Sequence, residues 1–318
     1  MPVNPPIMQA IIQDGYGKPE LVLRPGEIEV PSIGAGDVLI RVRATSVNTP
    51  DWATVAGVPY ILRPGVGLRR PRRPVRGSDV AGVVEAVGRQ VTGLAPGDEV
   101  FGTTRARAGA FAQYAVAPAT QLASKPAELT FTDAAASVMS GLTALVAMRD
   151  VAQVSAGTRV LINGASGGVG TMAVQIAKAL GAEVTGVCGS RNIELVRSLG
   201  ADHLIDYTKE DFTQSGRRFD VILDNVLNHP PKAVVRVLAP NGTFLPNSIG
   251  NTGGLFAGLP RMARAVLMRL GATNCGMSRR PMTPVPPATN TRTTITFLVW
   301  QELALRPETR RARPAVTR

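Results

Sequence analysis

Histidine, cysteine and aromatic residues are scarce in this chain, and each scarcity closes off a class of function. The two cysteines, Cys188 and Cys275, are too few for a disulfide framework or a cysteine-rich zinc site. The only histidines, His203 and His229, lie in the second half, so the first half offers no histidine base or metal ligand. Aromatics make up 4% of residues, so the core must rest on Val, Leu, Ile and Ala. No uncharged apolar run reaches transmembrane length. The best stretch, Ala134 to Met148, is too short and is broken by Ser137, Ser140, Gly141 and Thr143. The start, Met1-Pro2-Val3-Asn4-Pro5-Pro6, lacks a basic region followed by an apolar one, which argues against a signal peptide. A reducing cytoplasm and no membrane partner are expected.

The chain has 318 residues, enough for about two domains of roughly 150 residues. Its net charge of +12 is unevenly placed. From Cys275 to Arg318 there are eight arginines, no lysine and two acids, Glu302 and Glu308, which account for half of that charge. A second cluster is Arg63, Arg69, Arg70, Arg72, Arg73 and Arg76. It lacks interleaved aromatics for base stacking, with only Tyr60 nearby, and its prolines and glycines read as a surface loop. No nucleic-acid partner is expected.

The first third is β-rich. Met8 to Gln13, Asp37 to Ser46, Val80 to Val87 and Glu99 to Gly102 read as strands. In the second of these, Val38, Ile40 and Val42 alternate with Leu39, Arg41 and Arg43. Turns at Gly34, Gly36-Asp37, Gly88 and Pro96-Gly97-Asp98 punctuate them, as in a small barrel or sandwich. From Pro126 the period changes. Thr132-Asp133 opens a helix to about Arg149. Strands at Arg159 to Asn163, Glu183 to Cys188, His203 to Asp206, Val221 to Asp224 and Thr243 to Leu245 then follow. Helices at Gly168 to Leu180 and Asn192 to Leu199 alternate with them. That alternation implies a parallel, doubly wound α/β sheet.

Between one strand and its helix runs Gly164-Ala165-Ser166-Gly167-Gly168-Val169-Gly170. A tight turn, an open backbone for a pyrophosphate and close helix–strand packing each require glycine. The helix N-terminus then favours the negative charge. The alternative is a glycine-rich turn without a ligand, but the flanking strand, amphipathic helix and second strand supply the context of a dinucleotide site. About 20 residues on, where an NAD site places an acid, the chain reads Gly189-Ser190-Arg191-Asn192. Serine and arginine suit a 2′-phosphate, so NADPH is the expected cofactor. Arg191 also reads as a solvated residue opening the next helix.

These residues resemble quinone oxidoreductases of the zinc-free medium-chain dehydrogenase/reductase superfamily. The glycine loop, Ala44 to Trp52, Gly77 to Val84, Pro96 to Gly102 and Gly141 to Ala144 carry the likeness in order, from about Met8 to Asn274. The resemblance implies a GroES-like β-barrel domain over 1–126 beside a Rossmann NADPH-binding domain over 127–274, with the active site between them. Zinc-bearing members place a cysteine and a His-Glu pair where this chain has Asn48 and Ser78-Asp79, so no metal is expected. By the same likeness, Thr143 contacts the cofactor, Ala165 to Gly170 hold its pyrophosphate, and Ser190, Arg191 and Tyr207 take the 2′-phosphate. Asn225 approaches the nicotinamide ribose, and Asn48 sits near the carboxamide and substrate. The residues alone also allow blander roles: a self-bonded helix Thr143, a core Tyr207 and a strand-capping Asn225. Hydride transfer to a quinone or an α,β-unsaturated carbonyl is the implied reaction. Asp51 is the ionisable group of the Asn48 segment and a candidate proton relay; otherwise it is a turn residue.

The likeness stops after Asn274. The family continues with a strand, helices and a return to the first domain, and relatives often dimerise through an edge strand, so a homodimer is also implied. Here Cys275 opens an Arg/Pro/Thr-rich tail over 275–318 that reads as a shifted frame and is expected to be disordered. The alternative function is therefore a nucleotide-binding protein with impaired catalysis.

Overall fold

Apolar alternation builds the first sheet. In the computed structural model, which describes residues 6–58, 60, 63–105 and 108–248, the chain opens with an antiparallel pair. Its members are β1 (Ile7–Gln13) and β2 (Leu23–Glu29), with a short helix α1 (Pro19–Val22) between them. Next comes β3 (Asp37–Ala44), where Val38 and Ile40 are buried while Arg41 and Arg43 reach solvent. Helices α2 (Thr49–Ala56) and α3 (Arg63–Val66) precede β4 (Asp79–Val87), β5 (Glu99–Thr103), β6 (Tyr114–Pro118) and β7 (Leu122–Ser124). The five strands form an antiparallel sheet in the order β6-β3-β4-β5-β7. Val38, Ile40, Val80, Val84, Val100 and Ala115 fill its inner face. Each buried valine or isoleucine there contributes about 1.5–3 kcal/mol.

Helix α4 (Phe131–Leu145) continues through a π-helical turn, Val146–Val151. Its cap lies earlier than the Thr132-Asp133 pair the sequence indicates. Thr130 Oγ1 accepts the Asp133 amide at 3.1 Å and donates to the Asp133 carboxylate at 2.7 Å. The apolar segment is correspondingly longer than Ala134 to Met148. Phe131–Val151 spans 21 residues and, by length and composition alone, is long and apolar enough to cross a membrane. It packs instead as a core helix against β4, β5 and the glycine-loop helix that follows, with Ala134, Ala135, Ala144, Ala147 and Met148 buried.

The second sheet is parallel. It comprises β8 (Arg159–Asn163), β9 (Glu183–Cys188), β10 (His203–Asp206), β11 (Phe219–Asp224) and β12 (Leu238–Pro246). Helices α5 (Gly168–Ala179), α6 (Ile193–Ser198) and α7 (Pro231–Arg236) connect them. The order is β10-β9-β8-β11-β12, so the winding reverses between β8 and β11. A crevice opens at such a reversal, beyond the carboxyl ends of the strands. Strands covered on both faces read as unbroken apolar runs, as in Val160-Leu161-Ile162 and Ile222-Leu223. The expectation for the tail from Cys275 lies outside the described residues.

Candidate active site

The carboxyl end of β8 delivers the glycine loop to that crevice. Gly164 has φ +76°, a left-handed conformation that glycine adopts without strain. A Cβ on Gly170 would lie 2.1 Å from the Gly164 carbonyl oxygen, so α5 sits directly on the turn. Gly167 and Gly168 are exposed, and Gly167 caps α5 without any side-chain hydrogen bond. The first amides of α5 thus have no side-chain acceptor, and the helix dipole adds to their pull on an anion. This donor set fits a pyrophosphate. Ala165 does not face it. It is wholly buried and its N–H bonds to Val187 O at 2.9 Å, so it supports the turn from behind. Ser166 Oγ accepts a bond from Asn192 Nδ2 at 3.2 Å, and Val169 packs against the core.

Across the switch point, Asn225 ties the strand ends together. Its N–H and Nδ2 donate to Asn163 O at 3.2 and 3.1 Å, and its Oδ1 accepts from Asn247 at 2.7 Å. Buried Asp224 accepts from Asn163 Nδ2 and from the amides of Val226 and Leu227, which fixes the turn after β11. Asn225 is therefore both a strand cap and a residue of the crevice.

The other wall is assembled around Asp79, a carboxylate with no exposure at the start of β4. It accepts from Ser46 Oγ at 2.7 Å, Asn48 Nδ2 at 2.9 Å, Ser78 Oγ at 3.2 Å and the Met139 amide of α4 at 3.2 Å. Asn48 Nδ2 also donates to Ser46 Oγ at 2.9 Å, so both of its N–H bonds are engaged. Asn48 caps α2, and its own amide bonds Asp51 Oδ2 at 2.9 Å. Burial pushes the Asp51 carboxyl up to about 6, against the lowering effect of that bond, and the nearby Asp79 charge adds to the rise. The residue after Met139, Ser140, touches the glycine loop: a Cβ on Gly168 would lie 2.8 Å from its Oγ. Half-buried Thr143 follows one turn later on the same helical face. Asn48, Asp79, α4 and the phosphate loop are thus one connected structure.

Known proteins resemble this chain in sequence and fold. The family profile "Alcohol dehydrogenase GroES-like domain" matches residues 34–127, and "Zinc-binding dehydrogenase" matches 168–274. A chloroplastic quinone-oxidoreductase QR1 of Triphysaria versicolor is 36% identical over 68% of this chain and 68% of its own. The mitochondrial NAD(P)H oxidoreductase RTN4IP1 of Mus musculus is 38% identical over 69% of this chain and 60% of its own. The structure of the quinone oxidoreductase from Coxiella burnetii superposes with a TM-score of 0.71 at 28% identity, covering 83% of this chain and 80% of that one. The chain belongs to the quinone oxidoreductase-like medium-chain dehydrogenase/reductases. It is an oxidoreductase, and its family binds a nicotinamide cofactor.

In this quinone oxidoreductase-like chain the positions that hold zinc ligands elsewhere are Asn48, Ser78 and Asp79, bonded among themselves. His203 pairs with Glu183 at 2.8 Å, and His229 lies 3.7 Å from Asp211 and edge-on to Phe212. At the far end of the nucleotide crevice, Ser190 Oγ donates to Asp206 at 2.5 Å. Thr208 donates to the same carboxylate through its N–H and hydroxyl at 3.0 and 2.7 Å, and Lys209 Nζ lies at 3.5 Å. The Ser190 and Thr208 hydroxyls hold Asp206 down to about 2. Counting along β9 alone misses this acid. Asp206 reaches Ser190 because β10 runs parallel to β9 with Asp206 in register with Cys188. Tyr207 is exposed, not core, and its ring lies against Gly189, where a Cβ would come within 3.2 Å of the phenol oxygen. Arg191 is exposed. Lys209 is a second cation that the sequence reading did not single out.

Proposed function

We propose that this protein is an NADPH-dependent reductase that delivers a hydride to a quinone or an α,β-unsaturated carbonyl. The observation that carries the reading is the unbroken line of contacts from the open start of α5, through Ser140 and Met139, to Asp79 and Asn48. A dinucleotide with its pyrophosphate on the amides of Gly168 to Gly170 would extend past Asn225 and Thr143 toward Asn48. When bound, the nicotinamide supplies the hydride, and the protein supplies position. With both N–H bonds engaged and its oxygen already accepting the Asp51 amide in the capping box, Asn48 has one lone pair left on its carbonyl oxygen for a carboxamide N–H. Asp51, with its pKa at about 6, retains its proton in roughly one molecule in ten at pH 7. It serves as a proton relay to the reduced acceptor, with water as the final source.

Arg191 and Lys209 favour the 2′-phosphate. The Asp206 carboxylate beside Lys209 already receives Ser190 and Thr208, so it is not an open acceptor for ribose hydroxyls. The names of the relatives support a quinone acceptor. The test is initial-rate oxidation of NADPH and NADH against benzoquinones, naphthoquinones, enals and enones. NADPH is expected to give a kcat/KM about tenfold or more above NADH. Equal rates with NADH would remove the 2′-phosphate assignment, and cofactor binding with no acceptor reduced would remove the reaction.

A further inference from the structure

From Asp51 to Asp79 the chain carries six arginines and no acid between the two. Most of these arginines are exposed, but Arg76 is 7% exposed and Arg63 is half-buried. The Arg63 guanidinium lies over the rings of Tyr16 and Tyr60, 4.6 and 4.3 Å from their centroids, and donates to Gly57 O at 2.9 Å. Tyr16 donates to Gly67 O at 2.6 Å. The arginine-bearing segment is therefore a surface loop pinned at Arg63, Gly67 and Arg76 to the end of α2 and to β1 and the turn after it, while its other arginines stay exposed.

Arg76 has no carboxylate within ion-pair distance among the described residues. Its Nε donates to Gln13 Oε1 at 2.5 Å, but its Nη2 is buried and has no hydrogen-bond partner. A guanidinium does not escape burial by losing its proton. An unpaired buried N–H of this kind calls for an oxygen that the described residues do not supply. Asp51 is close enough to attract the Arg76 charge, but its Oδ2 is engaged by the Asn48 amide. Arg73 adds positive charge on the same side.

We propose that Arg76 anchors an anion-binding subsite next to Asn48 and Asp51, which receives a carboxylate or sulfonate carried by the acceptor. The subsite rests on the reductase reading for its substrate, but not for its chemistry of binding. Its role is specificity: among acceptors of equal reactivity, the acidic one is selected.

The test uses two probe pairs on the full chain. Naphthalene-2-sulfonate, which accepts no hydride, is titrated calorimetrically beside naphthalene-2-methanol and inorganic sulfate. 1,4-Naphthoquinone-2-sulfonate is compared with 1,4-naphthoquinone as acceptor. The sulfonate is expected to bind about tenfold or more tighter than the alcohol, and its kcat/KM to exceed that of the parent quinone after correction for their rates with free NADPH. Arg76→Met should bring both ratios to about one, and Arg76→Lys should leave an intermediate value, because a single ammonium replaces the fork. Tight sulfate binding without a sulfonate preference would locate a free-anion site and overturn the assignment to the acceptor. If the wild-type chain binds neither anion better than the alcohol, a water satisfies Nη2 and the proposal falls, whatever the variants do. Sulfonate binding without NADPH consumption would keep the subsite and sink the reductase reading instead.

Discussion

The phosphate loop is made of backbone, whereas the wall facing it is made of side chains. In the loop, function depends on what is missing: Cβ atoms at Gly164, Gly167, Gly168 and Gly170. In the wall it depends on one carboxylate, Asp79, that collects donors from the β3–α2 turn and from α4. A backbone site tolerates no addition, and a side-chain site tolerates no subtraction. The two are therefore expected to break in opposite ways.

The largest effect should come from adding one carbon to the loop. Gly170→Ala places a Cβ 2.1 Å from a backbone oxygen that cannot rotate aside. A loss of about 3 kcal/mol or more in denaturant unfolding is expected, together with loss of cofactor binding. Gly167→Ala is the control. Its φ of −80° suits alanine and the nearest atom to the new Cβ is 3.4 Å away. Stability should stay within about 0.5 kcal/mol while the cofactor Kd rises, because the added carbon stands on the exposed ligand side. Equal stability of the two variants would contradict the close packing of α5 on the turn.

On the other wall, Asp79→Ala leaves several buried donors without an acceptor. Melting experiments should show a loss of about 3 kcal/mol, with turnover reduced because Asn48 loses its hold. A smaller effect is expected from Asp51. Its folded pKa of about 6 lies above the ordinary value near 3.9, so between these values the folded chain holds a proton that the unfolded chain releases. Stability contributed by the neutral form is present below about pH 4 and is lost as pH rises through 6, by on the order of 2 kcal/mol. Asp51→Asn should therefore gain on the wild type between pH 4 and pH 7.5, and a pH-independent difference would contradict the burial argument. Smallest of all, Arg191→Ala should reduce the NADPH-over-NADH preference about fivefold, as befits an exposed charge.

The same contrast decides how much was readable in advance. Strands β8 and β9 and helix α5 follow from buried apolar runs and glycine spacing, which are local signals. The strands β2, β6 and β7 do not. β2 contains Pro25-Gly26 and survives only because a single neighbour, β1, pairs with it. β6, Tyr114–Pro118, is short and rich in alanine. Helix α2 follows Asn48-Thr49-Pro50-Asp51, a recognisable start signal that reads as a turn when only the motif is weighed. In the site, the glycine loop was legible, but its division of labour was not: Ala165 faces inward. Asp79 joins residues 31 and 60 positions away, and Asp206 meets Ser190 across 16, separations that only the sheet order brings together.

The most direct test of the connected site separates binding from turnover at Asn48. Fluorescence titration with NADPH and stopped-flow NADPH oxidation by a quinone series would be run on the wild type and on Asn48→Ala. The variant should keep its NADPH Kd within about twofold and lose roughly tenfold or more in turnover, since the loop that holds the phosphates is untouched. Unchanged turnover in Asn48→Ala would contradict the proposal that the hydride is delivered at this wall.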